Sequence, residues 1–288
     1  MNWLHQVSRE LSDGARAELI YAGKILVFKD VPAIKALRIF SDTLIRKSLD
    51  PHDPEKAQFS LSRNVYLPMV AALQQRYQQH SKPTALFATA LQEVGVDLGR
   101  TYWDKLHLRI LPHGGTHAGG QVSKIGFHRD TWGSNLHQQT NWWAPIYPLT
   151  AERTIAFYPY YWSHGVQNTS GSWSIREFVA RRKAAQLGEP VGYPSAPEPS
   201  EPVDTSSELR VVVQPGDILC FSSAQLHASV SNTSGRARFS IETRTVNIDD
   251  MHNNRGAPNV DCAGTEIMTT WFRHIEDNRS LADAVAFP

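Results

Sequence analysis

Residues 126 to 130 read GFHRD, and residues 225 to 240 read QLHASVSNTSGRARFS. In an extended segment residues i and i+2 point to one side, so His128 and Asp130 project together while Arg129 points away. An imidazole nitrogen beside a carboxylate oxygen suits a borderline-hard cation such as Fe(II). A second histidine on a facing strand would complete a 2-His-1-carboxylate set with open coordination positions. His227 is the candidate for that third ligand. Arg238 and Ser240, again i and i+2, would present a guanidinium and a hydroxyl on one face, a pairing able to hold a carboxylate bidentately. HxD alone is a common chance pattern in a chain with 12 histidines. The ordered series is more specific: HxD, a Pro-Gly-Asp turn at 215 to 217, a histidine ten residues after Asp217, and RxS beginning eleven residues after that histidine.

These residues need strands to hold them. From Trp103 the pattern alternates, with Trp103, Lys105, His107 and Arg109 against Leu106, Leu108 and Ile110, the period of a strand with one polar face. Arg109 and its face-mates either reach a bound co-substrate or lie near solvent. The stretches NWWAPIYPL, RTIAFYPYYW, LRVVVQPGD, ILCFS, HASVSN and RFSIETRTVNI read as further strands separated by turn residues. The second half is therefore expected to be an antiparallel sandwich or jelly roll, with a hairpin bringing Arg238 near His227. The first hundred residues read differently. Residues 3 to 23 have helical spacing and GKILVFKD reads as an edge strand. A helix begins at Asp30-Val31-Pro32 with Ile34, Leu37, Ile39, Phe40, Leu44 and Ile45 on its apolar face, and two more helices fill 67 to 95, split near Pro83. SIREFVARRKAAQLG reads as a helix, followed by a proline-rich excursion over 189 to 208 that is either a plain connection or a lid.

Composition narrows the partners. With 29 basic and 28 acidic residues and no block of like charge, neither nucleic acid nor an anionic membrane is indicated, and a small-molecule partner is expected. Cys220 and Cys262 are too few for a disulfide framework, and no membrane-length apolar run or leader pattern occurs, so a cytoplasmic location is expected. GxGxxG and GxxxxGK[ST] are both absent. His113, His117 and His137 lack zinc-site spacing and read as loop histidines.

Taken together, GKILVFKDVPAIKALRIF, GFHRDTW, NWWAPIYPLTAERTIAFYPYYWSHG and PGDILCFSSAQLHASVSNTSGRARFS resemble the phytanoyl-CoA dioxygenase-like family of Fe(II)- and 2-oxoglutarate-dependent oxygenases. The resemblance covers most of the chain, though YWSHG stands where the family usually has a PGSH-like motif. It implies a mainly β protein with flanking helices, built on a double-stranded β-helix of cupin-like, jelly-roll type. Residues 1–288 would form one domain: a mainly helical part over 1–100, a jelly-roll core over 101–250 with an insertion at 163–206 that could serve as a lid, and an extension over 251–288. It further implies that His128, Asp130 and His227 bind iron, that Arg238 holds the distal carboxylate of 2-oxoglutarate, and that Ser240 assists. Dioxygen is the other co-substrate, and the implied reaction is hydroxylation of an unactivated carbon of a small metabolite with release of succinate and CO2.

Thr131 and Trp132 are candidates for the cofactor pocket, Trp132 equally for the core, and His164 and Asn141 are further pocket candidates. Halogenation would need the carboxylate position free for halide, and Asp130 fills it. Desaturation, epimerisation and ring formation share the same cofactors. A non-oxidative cupin-type metal protein is the alternative from another class, and it has no need of Arg238 and Ser240 at this spacing.

Overall fold

The computed structural model describes residues 2–114, 126–185 and 193–286. His117 lies outside the described residues, as does most of the glycine-rich loop that precedes GFHRD. The chain opens with strand β1 (Leu4–Val7), helix α1 (Asp13–Tyr21), strand β2 (Ile25–Phe28) and helix α2 (Pro32–Leu49). A short helix α3 (Ala57–Ser60) precedes α4 (Arg63–Gln79) and α5 (Ser81–Glu93). Strands β3 (Thr101–Trp103) and β4 (His107–Leu111) follow, then a short helix α6 (Asp130–Ser134), β5 (Gln139–Pro145), β6 (Ile155–Phe157) and α7 (Ile175–Ala185). The remainder comprises β7 (Leu209–Val211), β8 (Ile218–Ser222), β9 (His227–Ser229), β10 (Arg238–Asn247), α8 (Ile248–His252), β11 (Arg273–His274) and α9 (Leu281–Ala286).

The strands form a mixed, open eight-stranded sheet and a separate three-stranded sheet. The larger runs β1-β2-β8-β5-β10-β3-β11, with β4 pairing the other end of β10, and the smaller runs β7-β6-β9. Ten-residue β10 is the spine: β5 covers one edge, while β4 and β3 share the other. Its odd residues Phe239 and Ile241 join the cluster formed with α2, α4 and α5, which also takes Leu26, Phe28, Ile218, Cys220, Leu108 and Ile110. Residues of opposite parity in the same strands, Ile25, Val27, Leu219, Phe221 and Trp143, pack against Ile155, Phe157 and Val211 of the small sheet. Helices, large sheet and small sheet are thus three layers, and strands buried on both faces read as continuous apolar runs such as ILVF and ILCFS.

Four sequence expectations change. GKILVFKD is not an edge, because Leu4–Val7, within the expected first helix, pairs parallel to β2 and takes the outer position. Helix α2 is capped at Val31 without a side-chain bond, while Asp30 adopts φ 56° and pairs with Lys35. Ile39, expected on its apolar face, is 59% exposed. The alternating run from Trp103 is two strands, broken where Asp104 bonds the backbone of Arg244.

The described part of the proline-rich excursion is tied back to residues 166 to 174, through Thr169 N to Glu198 O, Ser200 N to Gln167 O and Trp173 Nε1 to Pro194 O. Among the described helices none is long and apolar enough to cross a membrane.

Candidate active site

His128 and His227 meet as a two-residue antiparallel bridge, each backbone N–H donating to the other's carbonyl at 3.0 Å, with ring centroids 4.2 Å apart. Asp130 stands beside them, its Oδ2 3.7 Å from His227 Nε2. The backbone is extended only as far as Arg129, and Asp130 is the first residue of α6 rather than a strand residue. One extended residue suffices to put both side chains on one side. One ligand atom from each of His128, Asp130 and His227 falls within 4.8 Å of the others, a set able to hold a metal ion.

The rings are presented in matching fashion. His128 Nδ1 lies 2.9 Å from the carbonyl of Gly126, and His227 Nδ1 lies 2.9 Å from that of Gln225. A carbonyl only accepts, so Nδ1 carries the proton on each ring and Nε2 is left with its lone pair, the form a metal requires. Burial, together with the charge of His128, pushes His227 down to about 4, so its imidazole is neutral at physiological pH. Asp130 is the reverse case. Burial alone would raise its carboxyl, but the charge of Arg244, the adjoining imidazoles of His128 and His227 and the hydrogen bond from Asn141 hold it below the usual carboxylate range.

Between them, Arg129 points away, as alternation requires, and is 3% exposed. It pairs with Asp261 at 2.9 Å and donates to the carbonyls of Ala224, Tyr161 and His164 at 2.5, 2.6 and 3.2 Å. Asp261 also accepts from Trp132 Nε1 at 2.7 Å, which anchors the ligand loop to the C-terminal segment.

The three residues open onto a cavity, continuous with solvent, between the sheets. From β10, Arg238, Glu242, Thr243 and Arg244 line the cavity. Arg238 does not meet His227 through a hairpin, because β9 belongs to the small sheet and β10 to the large one. It reaches across the seam instead, donating to Thr154 O at 3.0 Å and Ser229 Oγ at 3.1 Å, with Trp143 beneath it at 5.7 Å. It is 5% exposed, its Nε has no partner, and no carboxylate pairs with it among the described residues. Burial pushes it down to about 10. A buried guanidinium left without a counter-ion is costly unless a ligand supplies the anion. Ser240 Oγ, of the same strand parity, is also buried without a partner and is not among the residues lining the cavity.

Arg109 lines the cavity and pairs with Glu242 at 2.7 Å. Burial would raise Glu242, yet Arg109, Arg244 and His107 bring it down to about 2. Asn141 lines the cavity too, bonding Asp130 and accepting from Ser223 Oγ at 2.5 Å. Thr131 and Trp132 are not brought to it, since α6 turns both into the protein, where Trp132 packs with Tyr158 and Tyr161. His164 stacks on Tyr160 away from the cavity, and Lys105 is exposed. No described residue of 163–206 lines the cavity.

The residues that sequence reasoning missed are Arg244 and Glu242, along with Asp104 behind Arg244. The signal was present for the first two, because 238, 240, 242 and 244 share strand parity.

No protein-family model matches the chain, and no curated protein matches it. Among solved structures it is similar to EvdO2 from Micromonospora carbonacea var. aurantiaca, at 10% identity over 84% of this chain and 93% of that one, with a TM-score of 0.47. It is similar to SnoN, a non-heme alpha ketoglutarate dependent epimerase from nogalamycin biosynthesis, at 13% identity over 82% and 84%, TM-score 0.39. A non-heme monooxygenase, ThoJ, is similar at 15% identity over 75% and 69%, TM-score 0.39. These likenesses are of overall trace and say nothing of this chain's own reaction.

Proposed function

We propose that this protein is a non-haem Fe(II)- and 2-oxoglutarate-dependent oxygenase that hydroxylates an unactivated carbon of a small metabolite, in a frame of double-stranded β-helix type. One observation carries the reading: a histidine–aspartate–histidine donor set shares a cavity with a buried guanidinium that has no carboxylate partner among the described residues. His128 and His227 would bind the metal through Nε2, and Asp130 through a carboxylate oxygen. When bound, Fe(II) supplies activation of dioxygen coupled to oxidative decarboxylation of the keto acid. The protein's own groups bind and orient. Arg238 would hold the far carboxylate of 2-oxoglutarate with its remaining N–H donors, and Ser240 Oγ would add a hydroxyl donor. Trp143, Phe221 and Ile155, which line the cavity, limit water around the reacting groups.

The filled carboxylate position of Asp130 favours hydroxylation over halogenation. Anaerobic addition of Fe(II) and 2-oxoglutarate is expected to give a weak visible charge-transfer band that His128→Ala abolishes. A band unchanged in His128→Ala, or none in the unaltered protein, overturns the assignment and leaves the non-oxidative metal-protein alternative.

A further inference from the structure

We propose that Arg244 is a positioning residue that takes part of the metal's place in the metal-free protein, gripping Asp130 so that one chosen carboxylate oxygen is left for the cation. The inference rests on the metal reading above and concerns this chain's own residues. Arg244 approaches Asp130 Oδ1 through Nε at 3.2 Å and Nη2 at 3.1 Å. Asp130 Oδ2 faces His227 and accepts from Asn141. Arg244 and Asn141 are register partners on adjacent strands, so one rung of the sheet supplies both clamps.

The guanidinium is itself fixed from behind. Asp104 Oδ2 accepts from Arg244 Nη1 at 2.8 Å, and Asp104 Oδ1 accepts from the Arg244 backbone N–H at 2.8 Å and from Thr243 Oγ1 at 2.9 Å. A forked donor locked in this way cannot follow the carboxylate if it swings. The consequence is an ordering of roles: Oδ1 is held by Arg244, and Oδ2, which faces His227, is the oxygen that would be offered to a metal.

Holding the site ready has an electrostatic consequence of definite sign. Guanidinium and metal are both cations drawn to one carboxylate, so each weakens the other's hold on it. Replacing Arg244 with a neutral side chain leaves Asp130 without its partner in the metal-free protein and removes the repulsion in the loaded one. A purely structural strut would act alike on both forms and leave their difference unchanged.

The test is calorimetric titration of metal-free full-length protein with Co(II), with thermal unfolding measured with and without the ion. Arg244→Gln is expected to lower the unfolding temperature of the metal-free form, to bind Co(II) about tenfold tighter, within the usual range for coupled sites, and to show a larger metal-induced rise in unfolding temperature. Arg244→Lys keeps the charge but not the fork, and is expected to keep Co(II) binding near that of the unaltered protein while lowering the unfolding temperature of the metal-free form. Should Arg244→Gln fail to fold, Asp104→Asn releases Arg244 to Asp130 alone and is expected to weaken Co(II) binding several-fold; equal or tighter binding there overturns the inference. Equal or weaker binding in a folded Arg244→Gln overturns the Arg244 role while leaving the metal reading intact. No binding by the unaltered protein overturns both.

Discussion

Arg238→Met separates the stability of the fold from the binding of co-substrate. The native guanidinium is nearly inaccessible, and burial lowers its pKa from 12.5 to about 10. At about 1.4 kcal/mol per unit, that is a penalty of roughly 3 kcal/mol for carrying the charge in the folded state. Methionine removes the penalty and fills a similar volume. It also forfeits the bonds to Thr154 O and Ser229 Oγ, each worth about 1.5 kcal/mol for a charged donor. Thr154 O keeps its bond from Val230 N, so no backbone acceptor is orphaned. The ligand-free variant is therefore expected to be about as stable as the unaltered protein, measurable by urea unfolding. Binding moves the other way. Truncating one partner of a buried charge pair costs about 2–5 kcal/mol, so the dissociation constant for 2-oxoglutarate, measured anaerobically with metal present, is expected to rise by at least about thirtyfold. Metal binding is expected to be unchanged. A variant that is clearly less stable and binds 2-oxoglutarate as before would refute the idea that Arg238 waits for an anion.

Three further outcomes are expected. Asp261→Asn strands the buried charge of Arg129 and should cost about 3–5 kcal/mol of stability, part of which Arg129→Met in the same chain should restore; chemical denaturation of the single and double variants measures this. Glu242 has a folded-state pKa near 2 against an ordinary 4.5, so its contribution, roughly 3 kcal/mol, is full above about pH 5 and is lost as pH falls toward 2. Glu242→Gln should accordingly flatten the loss of stability between pH 5 and 3, and an unchanged slope would remove Glu242 from that account. Asn141→Ala removes a donor to Asp130 and an acceptor for Ser223, and is expected to weaken Co(II) binding several-fold by calorimetry.

The candidate site was legible to the extent that it depends on local spacing. HxD needs only one extended residue between its members, and RxS only strand parity, so neither depends on which strands are neighbours. The resemblance of the quoted segments supplied the pairing of the two halves. What stayed hidden was non-local. That Asn141 stands opposite Arg244 follows from the β5–β10 register, which turn lengths and core packing decide together. That Arg129 finds Asp261 depends on where the C-terminal segment folds back, and no periodicity encodes that. Helix α6 was missed because a single turn of helix presents too few residues to establish a period. β1 was absorbed into the expected first helix for the same reason, its four residues being short and only half apolar.

The site also lies on a seam. His227 hangs from the small sheet, Asn141 and Arg244 from the large one, and Arg238 reaches between them. A bound ion would crosslink the segment leading into α6 to the small sheet, joining Asp130 and His227, which are 97 positions apart (227 − 130). Such a crosslink forms only once that segment has met β9, so it does not guide early folding and instead slows the segment's release from the finished structure. Amide exchange in β6 and β9 should therefore report metal loading more sensitively than exchange in the helical layer, which the ion does not bridge.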